Sequence, residues 1–267
     1  MAAASGHTHM RAVPGMSYEE GAVKVSGRER GAPLLAAGRW SVSDIAAAVM
    51  FCLLLTPVAV RTAQGVRGMM DLPMLLLALP LGLLAADLTS GLVHWACDTF
   101  FEEDTRVIGR ALIEPFREHH YDPLAMTRKG FLRVSRANLF IMSFGLAVTW
   151  WREDGWTANC HSLLAHAWWF WYACAVSVTN QLHMWAHAER VPRPVRRLHA
   201  LSLIVSPSHH ARHHRPPFRC GYCVTTGWLN PVLDTFGFFA GLERAVRALH
   251  APPARQPRGG RGSRNDG

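Results

Sequence analysis

Four apolar stretches constrain this chain most: Trp40 to Val60, Leu72 to about Cys97, Ala137 to Trp151, and Ser162 to Trp185. A helix needs about 20 residues to cross the hydrocarbon core of a bilayer. The first, second and fourth stretches reach that length. The third reaches it if the basic segment Phe131 to Arg136 adds snorkelling side chains. The pattern predicts an all-α, multi-pass membrane helical protein with about four transmembrane helices. Composition agrees, because 49% of the 267 residues are hydrophobic and only 18% charged, which suits one membrane domain better than two soluble ones.

Charge placement then sets orientation. The segment 98–136 holds Arg106, Arg110, Arg117, Arg128, Lys129, Arg133 and Arg136, whereas the loop 152–161 offsets Arg152 with Glu153 and Asp154. The positive-inside rule puts 98–136 in the cytoplasm, and with four spans both termini join it. A net charge of +9 could suggest nucleic acid, but the basic residues lie between apolar runs, so the expected partner is an anionic lipid bilayer and no nucleic acid. Residues 1–38 and 249–267 lack apolar periodicity and are expected to be disordered tails. The lone Cys220-Gly221-Tyr222-Cys223 pair lacks the second pair a zinc knuckle requires and reads as incidental structural cysteines.

Against this background, fifteen histidines are unusual, and the topology gathers nine of them on the cytoplasmic side. His94 ends the second span, His119 and His120 sit in the following loop, His183 and His187 end the fourth span, and His209, His210, His213 and His214 form the densest cluster. Residues four apart share a helix face, so His183 can pair with His187, His209 with His213, and His210 with His214. Nine imidazoles exceed what one zinc ion needs, which points to two metal ions in a cytoplasmic histidine-rich cap. Asp87, Gly91, His94 and Asp98 form one stripe on the second span that must face protein or water, with Asp98 placed to orient a ligating histidine. Taken singly, Asp87 could instead pair with an arginine, and His94 could be an interfacial histidine.

The chain has no HExxH to supply a hydrolytic general base and no GxSxG elbow for a serine lipase. Oxygen chemistry at iron therefore gains weight, since zinc cannot activate oxygen against an unactivated C–H bond. No catalytic residue is expected beyond the metal centre. A lipid hydroxylase, a metal transporter or sensor, and a histidine-ligated haem protein stay open as alternatives, although ligands gathered at one face argue against a transport pathway.

Four runs carry a family resemblance: Ala86 to Trp95, Pro115 to Pro123, Thr179 to His187, and His209 to His214 followed by Thr225-Thr226-Gly227-Trp228-Leu229-Asn230. Over about residues 70 to 245 the chain resembles the plasmanylethanolamine desaturases, the Kua or CarF-type family. The resemblance implies a membrane desaturase domain over 39–248, two iron ions, and oxygen-dependent formation of a vinyl ether in the 1-O-alkyl chain of an ether phospholipid. An external electron donor protein would supply two electrons. The family's boxes fall on His183 to His187 and on His209 to His213, with His94, His119, His120 and His214 as further ligands. Asp122 and Asn180 lie inside the same runs and join Asp87 and Asp98 as expected supports of the ligands. Trp95, Phe116 and Trp185 are expected near the alkyl chain, and Arg117 or Arg128 near the phosphate. Leu203 stands where animal members carry a histidine, with His199 the nearest histidine. The plastid-type acyl desaturases form a sister branch with similar boxes. The membrane of residence is expected to be a bacterial inner membrane or the endoplasmic reticulum.

Overall fold

The structure is a computed structural model describing residues 40–151 and 160–250; the expected tail 1–38, the loop 152–159 and residues 251–267 lie outside the described residues. The described residues form helices and connecting loops, which agrees with the all-α expectation. The long helices are α1 (Val42–Gly65), α2 (Leu72–Phe100), α4 (Phe131–Trp151) and α5 (Cys160–His187). Shorter helices lie between and after them: α3 (Glu114–Tyr121), α6 (Arg193–Ala200), α7 (Pro207–His210), α8 (Asn230–Thr235) and α9 (Phe238–Leu249).

Local chemistry starts α1. The Ser41 hydroxyl accepts from the Asp44 amide at 3.2 Å, and the Asp44 carboxylate accepts from the Ser41 amide at 2.9 Å, a capping box. Asp44 is buried, and Arg136 of α4 approaches it to 3.2 Å, so the N-terminal ends of α1 and α4 lie together. Asn180, near the C-terminus of α5, donates to the Val134 carbonyl of α4 at 3.1 Å. The rings of His94 on α2 and His183 on α5 are 5.6 Å apart. Successive long helices therefore alternate in direction, and one end of the bundle collects the starts of α1 and α4 with the ends of α2 and α5.

Three helices among the described residues are long and apolar enough to cross a membrane: Val42–Gly65, Met69–Phe100 and Phe131–Thr149. Their outer faces expose Ile45, Val49, Leu53, Leu76, Phe140 and Phe144, a band water would not tolerate and lipid would. The third stretch does extend back through Phe131 to Arg136, as its length required. The fourth expected span, α5, has the length but not the composition, because it carries Trp168, Trp169, Trp171, Tyr172, His166 and Asn180. The reason lies in its position. α5 packs against α1, α2 and α4, so much of its surface meets protein and it can hold polar atoms that a lipid-facing helix could not.

α2 approaches α5 closely at Gly82. A methyl group there would lie 2.8 Å from the Trp171 Cβ and 2.9 Å from the Tyr172 backbone nitrogen. Gly82→Ala should therefore destabilise the bundle by about 1–3 kcal/mol. Gly241→Ala on α9, where the nearest atom is an arginine tip at 4.0 Å, should leave the detergent-solubilised protein as stable or slightly more so. Thermal unfolding of the two variants side by side checks both expectations.

Candidate metal centre

The site is built at the end of the bundle where α2 and α5 terminate, and its frame is a strap running from Cys220 to Asn230. Asp87, fully buried on α2, accepts the backbone N–H groups of Thr226 at 2.8 Å, Gly227 at 2.9 Å and Leu229 at 3.1 Å. Gly227 adopts φ +75°, a left-handed conformation suited to glycine, and this turns successive amides toward one carboxylate. Ser90 accepts the Val224 amide at 3.1 Å, and the Asn230 side chain bridges the Cys223 amide and carbonyl at 2.9 and 2.8 Å. The strap is thereby fixed along α2.

Its carbonyls orient two histidines. The Nδ1 of His94 lies 3.1 Å from the Tyr222 carbonyl, and the Nδ1 of His213 lies 2.9 Å from the Cys220 carbonyl. A carbonyl only accepts, so each Nδ1 carries the proton and each Nε2 presents a lone pair. Cys220 and Tyr222, read in the sequence as part of an incidental cysteine pair, thus act through their backbone. Only the fold reveals such a role, because no side-chain chemistry announces it.

Eight of the nine expected histidines converge into two overlapping groups. His119, His183, His187, His210 and His214 form one, and His94, His119, His120 and His213 the other, with the ligand atoms of each group within 4.8 Å of one another. His119 belongs to both. In the first group the Nε2 atoms of His183, His187 and His210 form a triangle with edges of 2.8, 2.9 and 3.2 Å, and His214 stands 3.0 Å from His210. Three nitrogens at such separations cannot satisfy one another by hydrogen bonds, since each either carries a proton or offers a lone pair. Nitrogens bound at about 2.0–2.1 Å at right angles around one cation would be roughly 3.0 Å apart, so the spacing fits a metal ion. The buried Nε2 atoms of His94 and His119 also lack a hydrogen-bond partner. The residues present therefore fit a bound metal ion.

His209 is the exception. α7 is a single turn, opened by Pro207 and by Ser206, whose hydroxyl accepts the His209 amide at 3.3 Å, and the chain then continues as a turn. The pairing of His210 with His214 survives, whereas that of His209 with His213 does not. His209 turns toward the strap, where its Nε2 meets the Asn230 amide group at 3.2 Å and Arg212 at 3.3 Å. His209 thus stands outside both groups. His199 lies outside both groups.

Among the expected supports, Asp98 is inside the site, its Oδ2 at 3.2 Å from the His120 Nε2 and 3.5 Å from those of His94 and His213. Asp87 acts on the strap rather than directly on a clustered histidine. Asp122 pairs with Arg128 at 2.6 Å, and Asn180 joins α5 to α4, so neither touches an imidazole of the two groups in a bond the structure shows. Trp95 packs in the core against Phe100 and Phe239, and Trp185 against Leu182, Val195 and Ile204. Arg117 bonds the Phe101 carbonyl and pairs with Glu102 at 3.3 Å. Phe116, by contrast, does lie at the site, its ring 5.2 Å from that of His94.

Burial dominates the titration of the site. It holds His119, His210 and His214 well below the usual imidazole value of 6.5, and neighbouring imidazoles add to the shift. The unfolded chain takes up protons below that value while the folded chain resists them, so acidification favours unfolding and also competes with metal for the nitrogens. The unfolding temperature of the solubilised protein should be level above about pH 7.5 and fall progressively below about pH 6.5, with release of bound metal. A thermal scan across pH with metal analysis of the filtrate checks this.

Comparison with known proteins is consistent with this geometry. Residues 83–257 match the family of the lipid desaturase domain. The chain is 41% identical over 177 residues to a plasmanylethanolamine desaturase of Myxococcus xanthus, covering 65% of this chain and 60% of that protein. It is 35% identical over 181 residues to plasmanylethanolamine desaturase 1 of Mus musculus, covering 66% of each. With the chloroplastic fatty acid desaturase 4 of Arabidopsis thaliana it shares 33% identity over 193 residues, 70% of this chain and 57% of that one. The chain thus spans less than two thirds of the length of these relatives. No solved structure matches it significantly. With the matched region running from the middle of α2 through both histidine groups, the chain belongs to the lipid desaturase domain family.

Proposed function

We propose that this protein is an oxygen-dependent plasmanylethanolamine desaturase, with a membrane desaturase domain over 39–248 and two iron ions held by His94, His119, His120, His183, His187, His210, His213 and His214. The observation that carries the proposal is the pair of buried, overlapping histidine groups at the end of a lipid-facing helical bundle. In this reading α5 is the fourth span, the site faces the cytoplasm, and the membrane is a bacterial inner membrane or the endoplasmic reticulum. The similarity to two plasmanylethanolamine desaturases, the higher at 41% identity, supports the ether-lipid substrate.

Bound iron would supply reductive oxygen activation, with O2, two electrons and two protons consumed as the alkyl chain loses two hydrogens and two waters form. The protein's own contribution is positional. The strap carbonyls fix the tautomers of His94 and His213, so that their Nε2 lone pairs are presented without rearrangement. Burial keeps His119 and His210 neutral, so that their nitrogens stay available as ligands. The phosphate contact falls to Arg128, whose guanidinium stays exposed beside Asp122, and the electrons come from an external donor protein.

Desaturation of a phospholipid acyl chain is the second reading, favoured by the 33% identity to fatty acid desaturase 4. Lipid mass spectrometry separates the two in cells lacking plasmalogens, supplied with 1-O-alkyl phospholipids and expressing the chain or its His183→Ala variant. The expected result is acid-labile vinyl-ether lipid with the intact chain and background levels with the variant. New acyl-chain double bonds without vinyl ether would replace the ether assignment by the acyl one, and an added hydroxyl would make the protein a hydroxylase.

A further inference from the structure

Asp98 has been counted among the residues that orient histidines, but its surroundings give it a different part. Its side chain is 6% exposed, on the last turns of α2. One oxygen, Oδ2, faces three imidazole nitrogens: Nε2 of His120 at 3.2 Å, and Nε2 of His94 and His213 at 3.5 Å. The other, Oδ1, is buried without a hydrogen-bond partner.

The strap decides what the first oxygen can do. His94 and His213 each commit the Nδ1 proton to a backbone carbonyl, Tyr222 for one and Cys220 for the other. In the neutral ring the Nε2 is then a bare lone pair. A carboxylate that supports a histidine from outside the metal accepts an N–H from it. Asp98 has no such proton to accept from His94 or His213, and an anionic oxygen confronting two lone pairs in a buried site is repulsive unless a cation lies among them. Only His120, whose Nδ1 is unpartnered, could donate to it.

Spacing agrees. The three Asp98 contacts and the 3.4 Å separation of His120 Nε2 from His213 Nε2 are four edges of 3.2 to 3.5 Å. Four ligands held tetrahedrally at about 2.0–2.1 Å from one ion are roughly 3.3–3.4 Å apart, longer than the roughly 3.0 Å of a right-angled arrangement. The contacts among His183, His187, His210 and His214, at 2.8 to 3.2 Å, follow the shorter pattern.

We infer that Asp98 is itself a metal ligand, and that the centre is chemically unsymmetrical: one ion bound by imidazoles alone, the other by His94, His120, His213 and the Asp98 carboxylate. The inference rests on the reading of the histidine groups as a metal centre. An anionic oxygen lowers the positive charge of one ion relative to its neighbour and favours its more oxidised state, so the two ions differ in potential before any substrate binds.

Cobalt(II) titration of the metal-free, full-length protein in detergent tests this by stoichiometry and by visible absorption, independently of turnover. The intact chain should bind two equivalents, and Asp98→Asn one, with affinity for the second weakened by at least about 100-fold. The retained equivalent shows that the variant keeps its fold. Asp98→His should regain the second equivalent with displaced cobalt bands, because imidazole replaces carboxylate. Two equivalents with unchanged bands in Asp98→Asn would overturn the assignment and return Asp98 to a supporting role. Loss of both equivalents in Asp98→Asn without recovery in Asp98→His would overturn it too, making the residue a prop for the whole cluster. Failure of the intact chain to bind cobalt or iron would defeat the metal-centre reading itself.

Discussion

The Asp87 carboxylate, buried within a largely apolar helix, is the interaction on which the site depends. Three backbone N–H groups of the strap replace the water it has lost, and in return it fixes where the strap runs. Everything downstream follows that placement. Cys220 and Tyr222 bring their carbonyls to His213 and His94, Asn230 closes the strap on itself and meets His209, and Thr225 reaches Thr179 of α5 at 2.9 Å. A residue that touches no clustered histidine thus sets the orientation of two of them.

The strap matters because the imidazoles gathered around it do not hold themselves together. Burying neutral rings with facing lone pairs is unfavourable, and the depressed basicity of His119, His210 and His214 reflects both lost hydration and mutual repulsion. Second anchors are therefore needed on every element. α5 supplies His183 and His187 from a rigid helix, α2 supplies His94 and Asp98, and α3, α7 and the turn after α7 carry the others. Sites on rigid elements hold their geometry better than sites on loops, and here the loop portions are those tied by Asp87 and Ser206.

The bundle beneath the site divides its labour. α1, α2 and α4 present apolar outer faces and carry the span-like composition, whereas α5 is enclosed by the other three and carries aromatic and polar side chains. Enclosure permits the hydrogen bonds of Asn180 to α4 and of Thr89 to Tyr172 at 3.1 Å, which position α5 against its neighbours. In the proposed function, the end of such a helix places the centre where a lipid chain leaving the bilayer could reach it.

Much of this was legible from residues alone. Helical class and the positions of the long helices follow from apolar length, because a bilayer-spanning backbone must satisfy its own hydrogen bonds. His183 with His187 and His210 with His214 could be named from i, i+4 spacing, and His94, His119, His120 and His213 from their place at the cytoplasmic side and from the family resemblance. The polar character of α5 hid its place at the centre of the bundle, since composition records what a helix carries and not what surrounds it. His209 looked equivalent to His210 by spacing, and the structure separates them by turning His209 toward Asn230 and Arg212. The roles of the Cys220 and Tyr222 carbonyls, of Asp87 at a distance and of Asp98 among lone pairs were decided by tertiary structure. Each depends on groups more than a hundred residues apart, or on backbone atoms that every residue shares, and local sequence carries no record of either.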